Sequence, residues 1–165
     1  MKPSEFIIEC KVEDWHINAN VMDRTIKEIL TRVTLNRSYN VPYLAGYSKD
    51  GKTIYIDKDM PKFFKDSKGK KIKTDKYLIL HEAIEKSLID TLGLLYQHAH
   101  QIAYRAEQDA VENDKISWKD YNDFMMQWVK EVSDDTTDIP PDLDLTPYED
   151  EHDQKLLKKM IAGNS

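Results

Sequence analysis

The spacing of apolar residues changes character along the chain. In residues 21–35, Val21, Met22, Ile26, Ile29, Leu30 and Val33 recur three or four apart, as on one face of a helix, and Asn20 is a suitable N-cap. Residues 41–47 and 52–57 read as two strands. Ile54 and Ile56 alternate with Tyr55 and Asp57, and the Asp50-Gly51 pair in the link is a hairpin signal. Helical spacing then returns. One helix is predicted from near Lys76 to Leu92, with Asp75 as its cap and Gly93 as its stop. A second runs from near Leu95 to about Glu112. A third, capped by Ser117, runs from Trp118 to Val132, and its Tyr121, Phe124, Met125, Trp128 and Val129 read as core. Residues 6–12 read as a short strand or an extended lead-in. Residues 62–76 read as a lysine-rich loop, 136–147 as a Pro- and Asp-rich linker, and 154–162 as a last amphipathic turn or two. The predicted class is α+β: an N-terminal helix and a small β-hairpin sheet, followed by three packed helices.

Charge divides the chain. The formal net charge is -6, from 30 acids and 24 bases. Nine of those acids fall in residues 134–153, which contain no Lys or Arg, so the remainder carries a net +3. The expected organisation is one globular domain over 1–133, followed by an acidic, Pro-containing tail over 134–165 with a short terminal helix. Charge complementarity suggests that the tail docks on the lysine-rich loop. That loop has seven Lys against two Asp and no Arg, so it reads as solvated rather than as a nucleic-acid site. The lone Cys10 excludes an internal disulfide and a cysteine metal cage, and reads as a structural thiol. No membrane span or signal peptide is visible, so a cytoplasmic setting without a membrane partner is expected. His16 and His152 stand alone and read as surface residues. Five Gly and no Gly-rich loop argue against common nucleotide-binding folds.

One constellation carries chemistry. In residues 78–89, His81 and Glu82 interrupt an apolar run. A helix that is apolar nearly all round is buried, and ionisable groups there need a partner or a metal. His81 and Glu85 stand four apart and share a face, where both heads reach one metal ion, and Glu82 lies at the edge of that face. After Gly93, the next helix brings His98 and His100 close to the first. These two point about 200° apart, and only one of them can face it. His100 is favoured because it shares a stripe with Ala103, Glu107 and Ala110, which permit close packing. Glu107 is a candidate partner for a metal-bound His or a fourth ligand. The candidate metal set is His81, Glu85 and His100.

His81-Glu82-Ala83-Ile84-Glu85 in an apolar helix, with a strand before it and a His-bearing helix after it, resembles the zincin metallopeptidases over residues 41–112. The signature of that family is His-Glu-x-x-His. Glu85 stands in place of the second His, so the family's set of two His and one Glu is reached in permuted order. The resemblance implies a zincin-like minimal core and a catalytic Zn2+ or another divalent transition metal. It also implies Glu82 as general base, a peptide or protein substrate, and substrate binding along the strand at 52–57. Tyr96 or Tyr104 is then a candidate oxyanion donor. More loosely, the chain resembles uncharacterised bacterial and prophage proteins, which gives a second expectation: a non-catalytic phage-type structural or binding module that keeps the helix pair as scaffold. In a purely structural alternative, Glu82 and Glu85 face solvent and Lys86 pairs Glu82. A di-metal site using Glu82, Glu85 and Glu107 lacks the paired Glu-x-x-His motifs such sites use. The oligomeric state has no signal in the sequence.

Overall fold

The first helix stops before its apolar pattern does. The computed structural model describes residues 19–132 and 135–163, and in it α1 spans Ala19–Arg32. Met22 and Ile26 bury its inner face. Asn20 lies inside the first turn rather than capping it. Beyond Arg32 the chain extends as β1 (Thr34–Asn36), which pairs in parallel with β3 (Thr53–Ile56), Leu35 opposite Ile54. Val33 and Thr34 are β-branched and helix-averse, and a waiting partner strand decides the outcome.

β2 (Ala45–Tyr47) pairs antiparallel with the other side of β3, giving the strand order β1-β3-β2. The β2–β3 hairpin is present as predicted. The Asp50 carboxylate accepts hydrogen bonds from Ser48 Oγ at 2.6 Å and Lys52 N–H at 3.0 Å, and Gly51 takes a φ of 71°. Because β3 is central, both of its edges are already bonded. It cannot bind an extended substrate, and the expectation placed on residues 52–57 fails for that reason.

The lysine-rich stretch is not a loop. β4 (Phe63–Lys65) and β5 (Lys71–Lys73) form a second antiparallel hairpin. Asp66 accepts from the N–H groups of Lys68 and Lys70, and Gly69 closes the turn at a φ of 80°. Phe64 and Ile72 turn inward while the flanking lysines stay out, and Phe64 stacks on Phe124 with ring centroids 5.0 Å apart.

Three helices follow: α2 (Asp75–Leu92), α3 (Tyr96–Asn113) and α4 (Trp118–Val132). Thr74 occupies the cap position of α2, while Asp75 is its first residue and pairs with Arg37 at 2.6 Å. Gly93 ends α2 at a φ of 63°, its N–H bonding back to Ile89 O. Ser117 Oγ accepts from Asp120 N–H at the start of α4. α2 and α3 lie antiparallel in close contact. Ala99, Ala103, Ala106 and Ala110 are buried along α3 and let the two backbones approach.

The acidic stretch is neither a linker nor a strap on the lysines. Asp142 O accepts from Lys49 N–H, and Asp144 N–H donates to Tyr47 O, both at 2.9 Å. Between them Leu143 forms an antiparallel bridge with Ser48. This segment thus lies along the outer edge of β2. It continues into α5 (Thr146–Asp150) and α6 (Gln154–Gly163). Ile139, Leu143, Tyr148, Leu156, Leu157 and Met160 form one core cluster with Val41 and Tyr55. Asp144 bonds Lys86 at 2.6 Å, and Asp138 approaches Lys58. Among the described residues, no ion pair joins the segment to the lysines of 62–76. Buried apolar side chains, not bulk charge, decide where it docks.

The class is α+β, as expected. Among the described residues, no helix is long and apolar enough to cross a membrane. The strand expected at 6–12, Cys10 and His16 lie outside the described residues; His152 is exposed, as predicted.

Candidate metal centre

α2 carries three ionisable side chains into the interior. His81, Glu82 and Glu85 are all buried, so the reading in which the two glutamates face solvent fails. Lys86 turns away from Glu82 to bond Asp90 and Asp144. Across the helix pair, α3 presents His100 and Glu107 to the same space, while His98 is exposed. The two histidines thus separate as their spacing predicted.

His81 Nε2, Glu85 Oε2 and His100 Nδ1 form a triangle. Its edges are 3.3 Å (His81–Glu85), 3.0 Å (Glu85–His100) and 3.1 Å (His81–His100). Among the described residues, this is the only group of His, Cys, Asp or Glu whose three ligand atoms lie within 4.8 Å of one another. A tetrahedral metal about 2.0–2.1 Å from each ligand requires donors roughly 3.3 Å apart, and octahedral geometry roughly 2.9 Å. The triangle falls in that range, so these residues fit a divalent ion.

The other ends of two of the donors, His81 and Glu85, are held. His81 Nδ1 lies 2.6 Å from Glu107 Oε2, and Tyr121 donates to Glu107 Oε1 at 2.6 Å. Tyr47 donates to Glu85 Oε1 at 2.9 Å. A carboxylate behind a histidine fixes its tautomer and leaves Nε2 free for a metal. Glu107 thus bonds the ring whose other nitrogen stands in the triangle. Tyr47 and Tyr121 were missed by sequence reasoning. Tyr121 carried only a core signal, and nothing local in residues 41–47 says that Tyr47 faces a glutamate 38 positions on.

Glu82 stands apart. The residue is buried, its side chain lines both of the site's adjoining cavities, and among the described residues its carboxyl has no hydrogen-bond or ion-pair partner. Burial, then the charges of Glu85 and Glu107, push its pKa well above the ordinary carboxylate range, against the opposing pull of His81. Burial works against a charged His81, but the charge and hydrogen bond of Glu107 outweigh it and raise His81 well above its usual value. Burial also raises Glu85, yet the hydrogen bonds from His100 and His81 leave it below its usual value. Among the described residues no Lys or Arg lines either cavity; Asp144 pairs with Lys86 behind the wall, and Glu82, Glu85 and Glu107 have only imidazoles beside them to balance their charge. A cation is the natural complement of such a set.

The two tyrosines predicted as oxyanion donors differ. The Tyr96 hydroxyl lies 3.3 Å from His100 Nδ1 and faces the smaller cavity; burial, then Glu85 and Glu82, raises its pKa, so it stays a proton donor. Tyr104 stacks near His100 but spends its hydroxyl on Asn122 Oδ1 at 2.8 Å.

The smaller cavity, about 40 Å³, lies between β2, Glu82, Glu85 and His100, with Asp144, Pro147 and Tyr148 closing its outer side. The other, about 140 Å³, lies between the site and α4. Two larger cavities, about 720 and 560 Å³, lie beside the second hairpin and between α1 and α2. Among the described residues neither holds a grouping of metal donors, and chemistry rather than volume marks the candidate site.

Replacing Glu107 by Gln is expected to destabilise the metal-free protein by about 1–3 kcal/mol in urea unfolding. The amide keeps one oxygen for two neighbours, Tyr121 and His81, and one of them loses its acceptor.

Comparison with protein-family models, with curated proteins and with solved structures finds no match to this chain.

Proposed function

We propose that the protein is a metal-dependent hydrolase of zincin-like type that cleaves a peptide bond, with His81, Glu85 and His100 as ligands and Glu82 as general base. The observation that carries this reading is the triangle of three donors 3.0–3.3 Å apart, with the carboxyl of a buried glutamate, unbonded among the described residues, beside it. Three protein ligands leave a coordination position open, as catalytic rather than structural zinc sites do. Imidazole and carboxylate donors suit zinc among the divalent transition metals. Zinc held there supplies Lewis-acid polarisation of a carbonyl and a water acidic enough to ionise near neutral pH. The chain's own residues do the rest. The Glu82 carboxylate accepts the proton of the attacking water and returns it to the leaving nitrogen. The Tyr96 hydroxyl donates a hydrogen bond toward the developing oxyanion. Glu107 holds the His81 ring, and Tyr47 orients the Glu85 carboxylate.

Metal analysis of the unchelated protein tests this reading. One equivalent of zinc or another divalent transition metal is expected, lost on chelation together with several degrees of melting temperature, because a ligand bound only by the folded state stabilises it. Protein without stoichiometric metal, whose melting does not respond to added zinc, defeats it.

A further inference from the structure

The cavity between the donors and α4 has the dimensions of a side chain. Its volume of about 140 Å³ compares with the ~150 Å³ apolar cavity that accepts one benzene molecule. One wall is the site itself: His81, Glu82, His100 and Glu107. The remainder is largely apolar, with Leu78, Trp118, Tyr121, Met125 and Val129 around it. Tyr104 and Met126 also line it and are 39% and 48% exposed, so they mark its mouth. Among the described residues, the lining holds no Lys or Arg to meet an acidic group.

The opposite side of the donors is small. The cavity of about 40 Å³ has room for a methyl group or a single water, whose share of liquid volume is ~30 Å³. Tyr148 and Pro147 close it, and both are buried. Residues 142–144 already occupy the outer edge of β2 at Tyr47 and Lys49. An extended substrate therefore has no free strand edge there, and side-chain fit must do the selecting.

From this asymmetry we infer that the site cleaves beside one large apolar residue, of phenylalanine or leucine size, seated between α3 and α4, with glycine or alanine on the other side of the bond. The substrate part of this inference rests on the hydrolase reading; the pocket part does not.

Two arms separate them. In the first, the full chain carries 13C-methyl methionine and is titrated without metal. N-acetyl-L-phenylalaninamide is expected to shift the Met125 and Met126 methyl signals to saturation, and N-acetylglycinamide is not. Val129→Trp, which fills the cavity, is expected to weaken the phenylalanine probe at least tenfold. Met126→Lys, at an exposed position that cannot unfold the core, is expected to weaken it several-fold by placing a charge at the mouth. If the phenylalanine probe leaves both methyl signals unmoved, or if the glycine probe moves them equally, the pocket is overturned whatever the metal content. In the second arm, the zinc-loaded chain is given a peptide library. Cleavage between a large apolar and a small residue, at least tenfold over peptides with Asp or Lys at the large position, is the expected result. Cleavage without that preference overturns the substrate assignment while leaving the hydrolase standing. Probe binding in a chain that takes up no metal removes the hydrolase and the substrate assignment with it, and leaves an apolar-ligand pocket.

Discussion

A chain ending at Ser133 is expected to melt far below the full chain and to aggregate. The composition of residues 134–165 suggests a dispensable acidic extension, but the packing says otherwise. Ile139, Leu143, Tyr148, Leu156, Leu157 and Met160 are all buried. Each large apolar side chain stabilises the fold by about 1.5–3 kcal/mol when buried, roughly 9–18 kcal/mol gross for the six. Ordering the segment offsets part of that. What remains after deletion is a damaged body: Val41 and Tyr55 lose their cover. β2 also loses the backbone partners of Lys49 N–H and Tyr47 O, leaving an open strand edge that invites pairing between chains. A domain with a net stability of about 5–15 kcal/mol does not absorb both losses. Thermal melting by circular dichroism and size-exclusion chromatography check this. A monomeric truncated chain with an unchanged midpoint would show that the segment contributes nothing to stability.

Glu82→Gln is expected to lower kcat by about 10²–10⁴-fold with zinc stoichiometry unchanged, the usual span for losing a positioned general base. The substitution preserves size and removes the charge. Glu82 holds no hydrogen bond among the described residues, and the neighbouring charges of Glu85 and Glu107 disfavour its ionised form. The variant is therefore expected to fold at least as stably as the native chain. That combination separates a proton-transfer role from a structural one, because a structural residue would lose melting temperature along with activity. Turnover retained within a few-fold would remove Glu82 from the mechanism.

The legible and illegible parts of the sequence divide by distance along the chain. α2, α3 and α4 follow from 3.6-residue periodicity and from Gly93 and Ser117, all local signals. His81, Glu85 and His100 were legible because helical geometry fixes which residues share a face, and because a charged pair within an apolar run implies burial. β1 was not, since Thr34–Asn36 becomes a strand only through its pairing with β3. The second hairpin carried a readable sign, Asp66 and Gly69 at turn spacing, but its single inward residue per strand, Phe64 and Ile72, was outvoted by lysines. Tyr47 reaches Glu85 from a different element, and no period in the sequence records that contact. The docking of residues 137–163 was hidden because their acids dominate the composition while widely spaced apolar residues do the packing.

All three donors, and the carboxylate that steadies one of them, come from a single helical hairpin between residues 81 and 107. The walls around them come from elsewhere: β2 and residues 144–148 on one side, α4 on the other. Donors that are near in sequence meet after closing only a short loop, an inexpensive step early in folding, whereas the walls wait for long-range contacts. The same separation bears on change over generations. Substitutions in α4 away from Tyr121, which bonds Glu107, can reshape the cavity without touching the donor triangle. On the proposed reading the hairpin brings the donors, and the structure packed around it supplies both the cavity walls and the tyrosines, Tyr47 and Tyr121, that bond Glu85 and Glu107.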